Sequence, residues 1–219
     1  IKEFCKKIKN KISFSLKDKN VNFFGSWKNE HGKNKFFIND QRIYNKNMNE
    51  IMAKNILAAY AIASTKGISH NKIIDSLTKF KFLKGRGQII KKKGYLIIDD
   101  TYNANYESFK AGIHSFMNLS HKGRKILVIG DMKELGKKEK ECHIKLGNYI
   151  IEQSPDFVYS FGDLISFTSK QIFSSKVNSK HFNKVSKMID DIKLNLVKGD
   201  AIYFKASRSL EFEKIINAI

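Results

Sequence analysis

Two acidic loops, each following an apolar run, carry the residue types best suited to chemistry. Tyr95-Leu96-Ile97-Ile98 leads into Asp99-Asp100-Thr101-Tyr102-Asn103-Ala104-Asn105, and Ile126-Leu127-Val128-Ile129 leads into Gly130-Asp131-Met132-Lys133-Glu134-Leu135-Gly136. A carboxylate at a strand end, Asp100 above all, can accept hydrogen bonds from ribose hydroxyls. The amides of Asn103 and Asn105 both donate and accept, which suits a zwitterionic ligand. Short polar residues also close turns and cap helices, so a purely structural reading of Asp100, Asn103 and Asn105 stands beside the ligand reading.

Three further groups add to the inventory. Arg86 lies between Gly85 and Gly87, and its planar guanidinium could fork onto a phosphate; the alternative is a solvated linker arginine. In Lys205-Ala206-Ser207-Arg208-Ser209 the serines are expected to open the last helix, where free N–H groups and hydroxyls hold a carboxylate, or where one serine simply caps. His143 follows Cys142 on an expected helix, where adjacent residues do not share a face. A Cys/His nucleophilic pair is therefore disfavoured, and a structural histidine is expected. Cys5 and Cys142 are the only cysteines and form no Cys-x-x-Cys pair, which supports neither a disulfide framework nor a cysteine zinc site.

These groups need a scaffold, and the hydrophobic periodicity supplies one. From residue 88 the chain is expected to alternate strands at 95–100, 125–130, 157–161, 179–182 and 201–205 with helices at 106–119, 138–153, 163–173, 184–196 and 209–218. Nearly continuous apolar strands belong between helical layers in a largely parallel sheet. Right-handed crossovers then bring Asp99, Asp100, Asp131, Gly162 and Ser207 to one edge, where open α/β sheets hold their ligands. Before that, strands are expected at 12–16, 21–24 and 35–38, a helix over 49–65 closed by Gly67, and a second over 70–80 capped by Ser69. The basic stretch 80–87, broken by two glycines, is the expected domain boundary, giving domains of residues 1–84 and 85–219.

Bulk properties bound the answer. The 219 residues, 42% hydrophobic and 12% aromatic, can bury a proper core. No apolar run reaches the roughly 18–20 residues of a membrane span, and no leader pattern is apparent, so a soluble cytoplasmic protein is expected. The formal charge is +20, yet arginine occurs only at positions 42, 86, 124 and 208 among 41 basic residues. Dispersed lysine gives solubility and weak, salt-sensitive attraction to polyanions rather than base readout, so specific nucleic-acid binding is not expected.

The Asp-Asp-x-Tyr-Asn-Ala-Asn and Gly-Asp-Met-x-Glu-Leu-Gly strings, with Asn55-Ile56-Leu57-Ala58-Ala59, Gly85-Arg86, Cys142-His143-Ile144-Lys145-Leu146-Gly147 and Lys205-Ala206-Ser207-Arg208-Ser209 in order, resemble the Mur ligases. These are the ATP-dependent amide-forming enzymes of peptidoglycan synthesis. The resemblance is to the branch that joins D-alanyl-D-alanine to UDP-N-acetylmuramoyl-tripeptide. It implies an α/β fold: a Rossmann-like, mostly parallel C-terminal ligase domain preceded by the strand and helix end of a P-loop-type central ATP-binding domain.

It further implies that Asp100 contacts the ATP ribose, Asn55 the adenine, and Arg86 the phosphates as a catalytic clamp. Thr101, Tyr102, Asn103, Asn105 and Asp131 would face substrate, and Ser207, Ser209, Lys205 and Arg208 the dipeptide carboxylate. ATP and Mg²⁺ are the implied cofactors, with no metal ligand in this chain. Three departures stand out. The family's His-Asn pair is here Ile51-Met52, Ala206 replaces a glycine, and no Gly-x-x-Gly-Lys-Thr phosphate loop occurs in these 219 residues. The chain, opening on Ile1, is thus expected to be the C-terminal part of a ligase, inactive alone, with the missing N-terminal domains as partner. Its rivals are a non-catalytic, binding-only relict and a basic nucleic-acid-binding protein.

Overall fold

The computed structural model describes residues 11–30, 33–43, 50–80 and 83–219, and the chain divides into two compact units, Ile1–Lys81 and Phe82–Ile219. Cys5 lies outside the described residues, as do residues 44–49. Among the described residues no helix is long and apolar enough to cross a membrane.

The first unit pairs a small sheet with two helices. Its strands are β1 (Phe14–Ser15), β2 (Phe23–Glu30), β3 (Lys33–Ile38) and β4 (Gln41–Ile43), in that spatial order. β1 runs parallel to β2, and the rest are antiparallel. Helices α1 (Glu50–Thr65) and α2 (His70–Lys79) bury Ile56, Leu57, Tyr60, Ile73 and Ile74 against Phe36, Ile38 and Ile43. The expectation ended the strands at Ile38 and missed β4. Asn39 and Asp40 both have positive φ, 49° and 61°, and so make the two-residue turn whose twist matches a hairpin. Ser69 sits at the N-cap of α2 but makes no side-chain capping bond.

The second unit is a six-stranded sheet between helical layers. Its strands are β5 (Gln88–Lys92), β6 (Tyr95–Asp99), β7 (Lys125–Gly130), β8 (Phe157–Phe161), β9 (Ser179–Phe182) and β10 (Ala201–Lys205), ordered β5-β6-β10-β7-β8-β9. All pairs are parallel except β5 with β6. Helices α3 (Tyr106–Met117), α4 (Glu139–Gln153) and α5 (Ser166–Phe173) cover one face, burying Phe109, Ile113, Leu146, Ile150 and Ile172 on Leu127, Ile129, Val158 and Tyr203. Helices α6 (Val185–Asn195) and α7 (Glu213–Ala218) cover the other, where Met188, Ile192, Ile215 and Ile216 meet Ile97, Val128, Ile202 and Phe204. The mixed α/β, mostly parallel architecture expected from the sequence is present.

Two details differ from expectation. β5 was not anticipated; it forms a hairpin with β6 through Lys93 and Gly94, both at positive φ. The last helix starts at Glu213 rather than residue 209, because Arg208–Leu210 makes a single 3₁₀ turn that ends at Glu211 with φ 49°. Ser207 therefore precedes a tight turn and Ser209 sits within it, and neither opens an α-helix.

Candidate functional site

The chain order fixes where a ligand crevice can form. β6 is followed by α3 on one face of the sheet, whereas its neighbour β10 is followed by α7 on the other. At such a switch point the two loops diverge and leave an opening at the C-terminal ends of the strands.

Asp100 stands at that opening, just past β6. Its Oδ2 accepts hydrogen bonds from Lys205 Nζ and from Tyr203 Oη, both at 2.7 Å. Lys205 ends β10 and is only 2% exposed. Its ammonium also donates to the Asn103 carbonyl at 3.0 Å and lies 5.7 Å from the centre of the Phe109 ring. A buried ammonium needs such partners to offset its lost hydration. Tyr203 and Lys205 face the same side of the sheet because side chains alternate along a strand. Burial, reinforced by the Asp100 carboxylate, pushes the Tyr203 phenol well above its ordinary range, so it is a permanent donor to Asp100.

The loop that follows is organised by its own polar groups. Buried Thr101 donates its hydroxyl (2.7 Å) and its N–H (3.2 Å) to Asp99 Oδ1. Asn103 Oδ1 accepts from the Ala104 N–H at 2.8 Å. Asn105 caps α3: its side chain accepts from the Ser108 N–H at 2.8 Å, while Ser108 Oγ accepts from the Asn105 N–H at 3.1 Å. Thr101 is thus engaged inside the protein and exposed Asn105 is committed to the cap, which leaves the exposed Tyr102 and Asn103 facing outward.

Arg86 joins this loop. Gly85, at φ 76°, is buried, and its carbonyl accepts from the Tyr102 N–H at 2.9 Å. A Cβ at Gly85 would come within 3.0 Å of the Tyr102 nitrogen, so the close approach needs glycine. The exposed guanidinium of Arg86 lies 3.8 Å from the centre of the Tyr102 ring, a cation–π stack that holds it beside the crevice.

The other acidic loop, past β7, is built differently. Asp131 is 5% exposed. Its Oδ1 accepts from the Ile165 N–H at 2.8 Å, and its carbonyl accepts from the Ser207 N–H at 2.9 Å. A Cβ at Gly162, where φ is 125°, would collide with the Asp131 carboxylate. Ser207 Oγ accepts from the Lys133 N–H at 2.8 Å. His143 is fully buried; Nδ1–H donates to the Glu139 carbonyl at 2.7 Å, and Nε2 accepts from the Met132 N–H at 3.0 Å. Those bonds fix one neutral tautomer, and burial lowers its pKa. His143 therefore pins the loop to α4 as a structural residue.

The structure thus gathers Arg86, Asp100, Thr101, Tyr102, Asn103 and Lys205 in one cluster, and Asp131, Ser207 and His143 in another across β10. Lys205 and Asp131, expected to face substrate, spend their charges within the protein. Arg208 and Ser209 are exposed, with Arg208 paired to Glu213 at 2.6 Å. Asn55 is exposed on α1 of the first unit. Tyr203 was missed, although a tyrosine two positions before a lysine in an otherwise apolar strand is a signal that both polar ends meet something.

The Mur ligase, glutamate ligase domain model matches residues 85–208, more than half of the chain. The chain belongs to the Mur ligase family. It is 34% identical over 165 residues to a UDP-N-acetylmuramoyl-tripeptide--D-alanyl-D-alanine ligase of Bacillus subtilis, covering 74% of this chain and 36% of that one. A ligase of the same name from Buchnera aphidicola subsp. Baizongia pistaciae is 36% identical over 168 residues, covering 75% and 35%.

Among solved structures, MurF from Acinetobacter baumannii superposes with a TM-score of 0.80 at 25% identity, covering 94% of this chain and 46% of that chain. MurF from Thermotoga maritima in complex with ADP gives 0.76 at 28% identity, covering 95% and 48%. The chain therefore spans about a third of the length of these two curated relatives and just under half of the two solved chains.

Proposed function

We propose that this chain is the nucleotide-closing and amine-substrate end of an ATP-dependent ligase that adds D-alanyl-D-alanine to UDP-N-acetylmuramoyl-tripeptide. The observation that carries the reading is the cluster at the switch point: a partly exposed Asp100 held by two donors, with Arg86 stacked on the adjoining Tyr102. Support for the substrates comes from the names of the relatives, and for the nucleotide from the ADP bound to the Thermotoga maritima enzyme.

In this reading residues 1–84 are the end of the central ATP-binding domain, with Asn55 toward adenine, and residues 85–219 are the C-terminal ligase domain. Asp100 accepts from the ribose, and Arg86 leaves its stack to fork onto the phosphates. Tyr102 and Asn103 face the dipeptide amine; Arg208, Ser209 and the Ser207 hydroxyl receive its carboxylate. Thr101, Asn105, Asp131 and Lys205 act behind them, fixing the loops. Activation of the tripeptide carboxylate as an acyl phosphate and attack by the amine demand charge neutralisation on the transferring phosphoryl group, and Arg86 supplies part of it.

In this reading the magnesium ligands lie outside these 219 residues. Among the described residues no group of three or more His, Cys, Asp or Glu side chains comes together, and the site's acid, Asp100, is engaged by Lys205 and Tyr203. A phosphate-cradling loop from outside these 219 residues is required for turnover.

The test is ATP-dependent ligation with UDP-N-acetylmuramoyl-tripeptide by the native polypeptide that carries this sequence. D-alanyl-D-alanine is expected to outcompete meso-diaminopimelate, lysine and glutamate, and the 219 residues alone are expected to be inactive. A preference for one of the single amino acids would overturn the specificity, and no ligation by the native polypeptide would favour a binding-only relict.

A further inference from the structure

Tyr203 occupies a place that a plain core residue could fill with less difficulty. It lies in the central strand β10, opposite Ile98 of β6 and Leu127 of β7, with its ring stacked on Phe116 at 5.6 Å. The side chain is 2% exposed, so its hydroxyl loses water and must find a protein acceptor. The acceptor is Asp100 Oδ2, at 2.7 Å.

Room for that hydroxyl is made at a cost to α3. A Cβ on Gly112, inside that helix, would fall on the Tyr203 hydroxyl and lie 3.3 Å from Asp100 Oδ2. Glycine in a helix interior is less favourable than alanine, and Gly112 has ordinary helical geometry, so nothing in the backbone demands it. What demands it is the phenol. A phenylalanine at 203 would keep the Phe116 stack and need no acceptor.

We propose that Tyr203 is a positioning residue for the nucleotide site, and that Gly112 is the vacancy that admits it. Together with Lys205 it draws both donors onto one oxygen of Asp100, which sets the plane of the carboxylate. Among the described residues Oδ1 accepts no hydrogen bond, and with the Asp100 side chain 23% exposed it is the oxygen presented to the sugar. Two donors from one direction are needed because a lone ammonium on a flexible stem fixes distance but not the rotation about the carboxylate's last torsion.

This inference rests on the reading of Asp100 as the ribose acceptor. The experiment measures binding of ADP and of 2′,3′-dideoxy-ADP to the whole 219-residue chain, its Tyr203→Phe variant and its Gly112→Ala variant. The unmodified chain is expected to prefer ADP. Both substitutions are expected to cut that preference about threefold or more, leaving the affinity for the dideoxy nucleotide unchanged, because only a hydroxyl-dependent contact is lost.

A preference that survives both substitutions would overturn the positioning role while sparing the ribose reading. Equal binding of the two nucleotides, or none, by the unmodified chain would overturn both. If neither variant folds by circular dichroism, the hydroxyl serves packing and the proposal fails.

Discussion

Asp100 and Asp131 hold matching places on either side of β10 and have opposite fates. Asp100 follows β6 and Asp131 follows β7, the two strands that flank β10. Asp131 is enclosed, and its carboxylate accepts from the backbone N–H of Ile165 in a neighbouring loop. Asp100 is partly open, and its donors are side chains that rise from the sheet beneath it. The contrast teaches that a strand-end carboxylate becomes scaffold when backbone satisfies it from outside. It becomes a candidate ligand group when side chains support it from behind.

Removing each acid in turn separates the two roles most clearly. Asp100→Ala would strand the Lys205 ammonium in the interior and is expected to cost about 3 kcal/mol or more in urea unfolding. Adding Lys205→Met should recover the part owed to the stranded ammonium, leaving about 1–2 kcal/mol for the Tyr203 hydroxyl that has lost its acceptor. A cost below about 1 kcal/mol for Asp100→Ala would mean the pair is solvated after all. Asp131→Ala leaves the Ile165 N–H without its acceptor, and an expected loss of about 2 kcal/mol should not be relieved by Lys205→Met. Relief would show that the two clusters are one.

Protonation sharpens the scaffold half. Burial lowers the pKa of His143 and of His181 in the folded chain. The unfolded chain therefore binds more protons once pH drops through the ordinary histidine value, about 6.5. The stability contributed by buried His143 is present above that pH and is lost as pH falls below it, at up to about 1.4 kcal/mol per pH unit, while solvent-screened His181 adds little. Unfolding midpoints measured from pH 7.5 to 5 should fall, and His143→Asn should flatten the slope. An unchanged slope would mean that His143 takes up its proton as readily in the folded chain as in the unfolded one.

Much of this arrangement was legible in the sequence because it depends on local pattern. Apolar runs ending in Asp99-Asp100 and Gly130-Asp131 located the sheet edge, and the motif strings located the family. Which acid would be buried was not legible, since the Ile165 N–H that claims Asp131 comes from a loop 34 residues away. The role of Tyr203 needed its partner Asp100, 103 residues distant in sequence. The late start of α7 hinged on the left-handed Glu211, a conformation that propensity does not signal for glutamate.

The smallest effect concerns the Arg86 side of the cluster. Tyr102→Leu removes an exposed cation–π stack with Arg86 and is expected to change stability by only about 0.5 kcal/mol, while leaving the Gly85 to Tyr102 backbone bond in place. A loss above about 2 kcal/mol in the same urea series would show that the Tyr102 ring is scaffold, like Asp131, rather than a face open to ligand.

The most direct test of the whole account is chemical-shift mapping of the isotope-labelled chain on titration with ADP. Backbone signals of Arg86 and residues 100–103 are expected to move together, while those of Asp131, Met132 and Ile165 stay. Movement confined to the Asp131 side of β10, or none at either side, would contradict it.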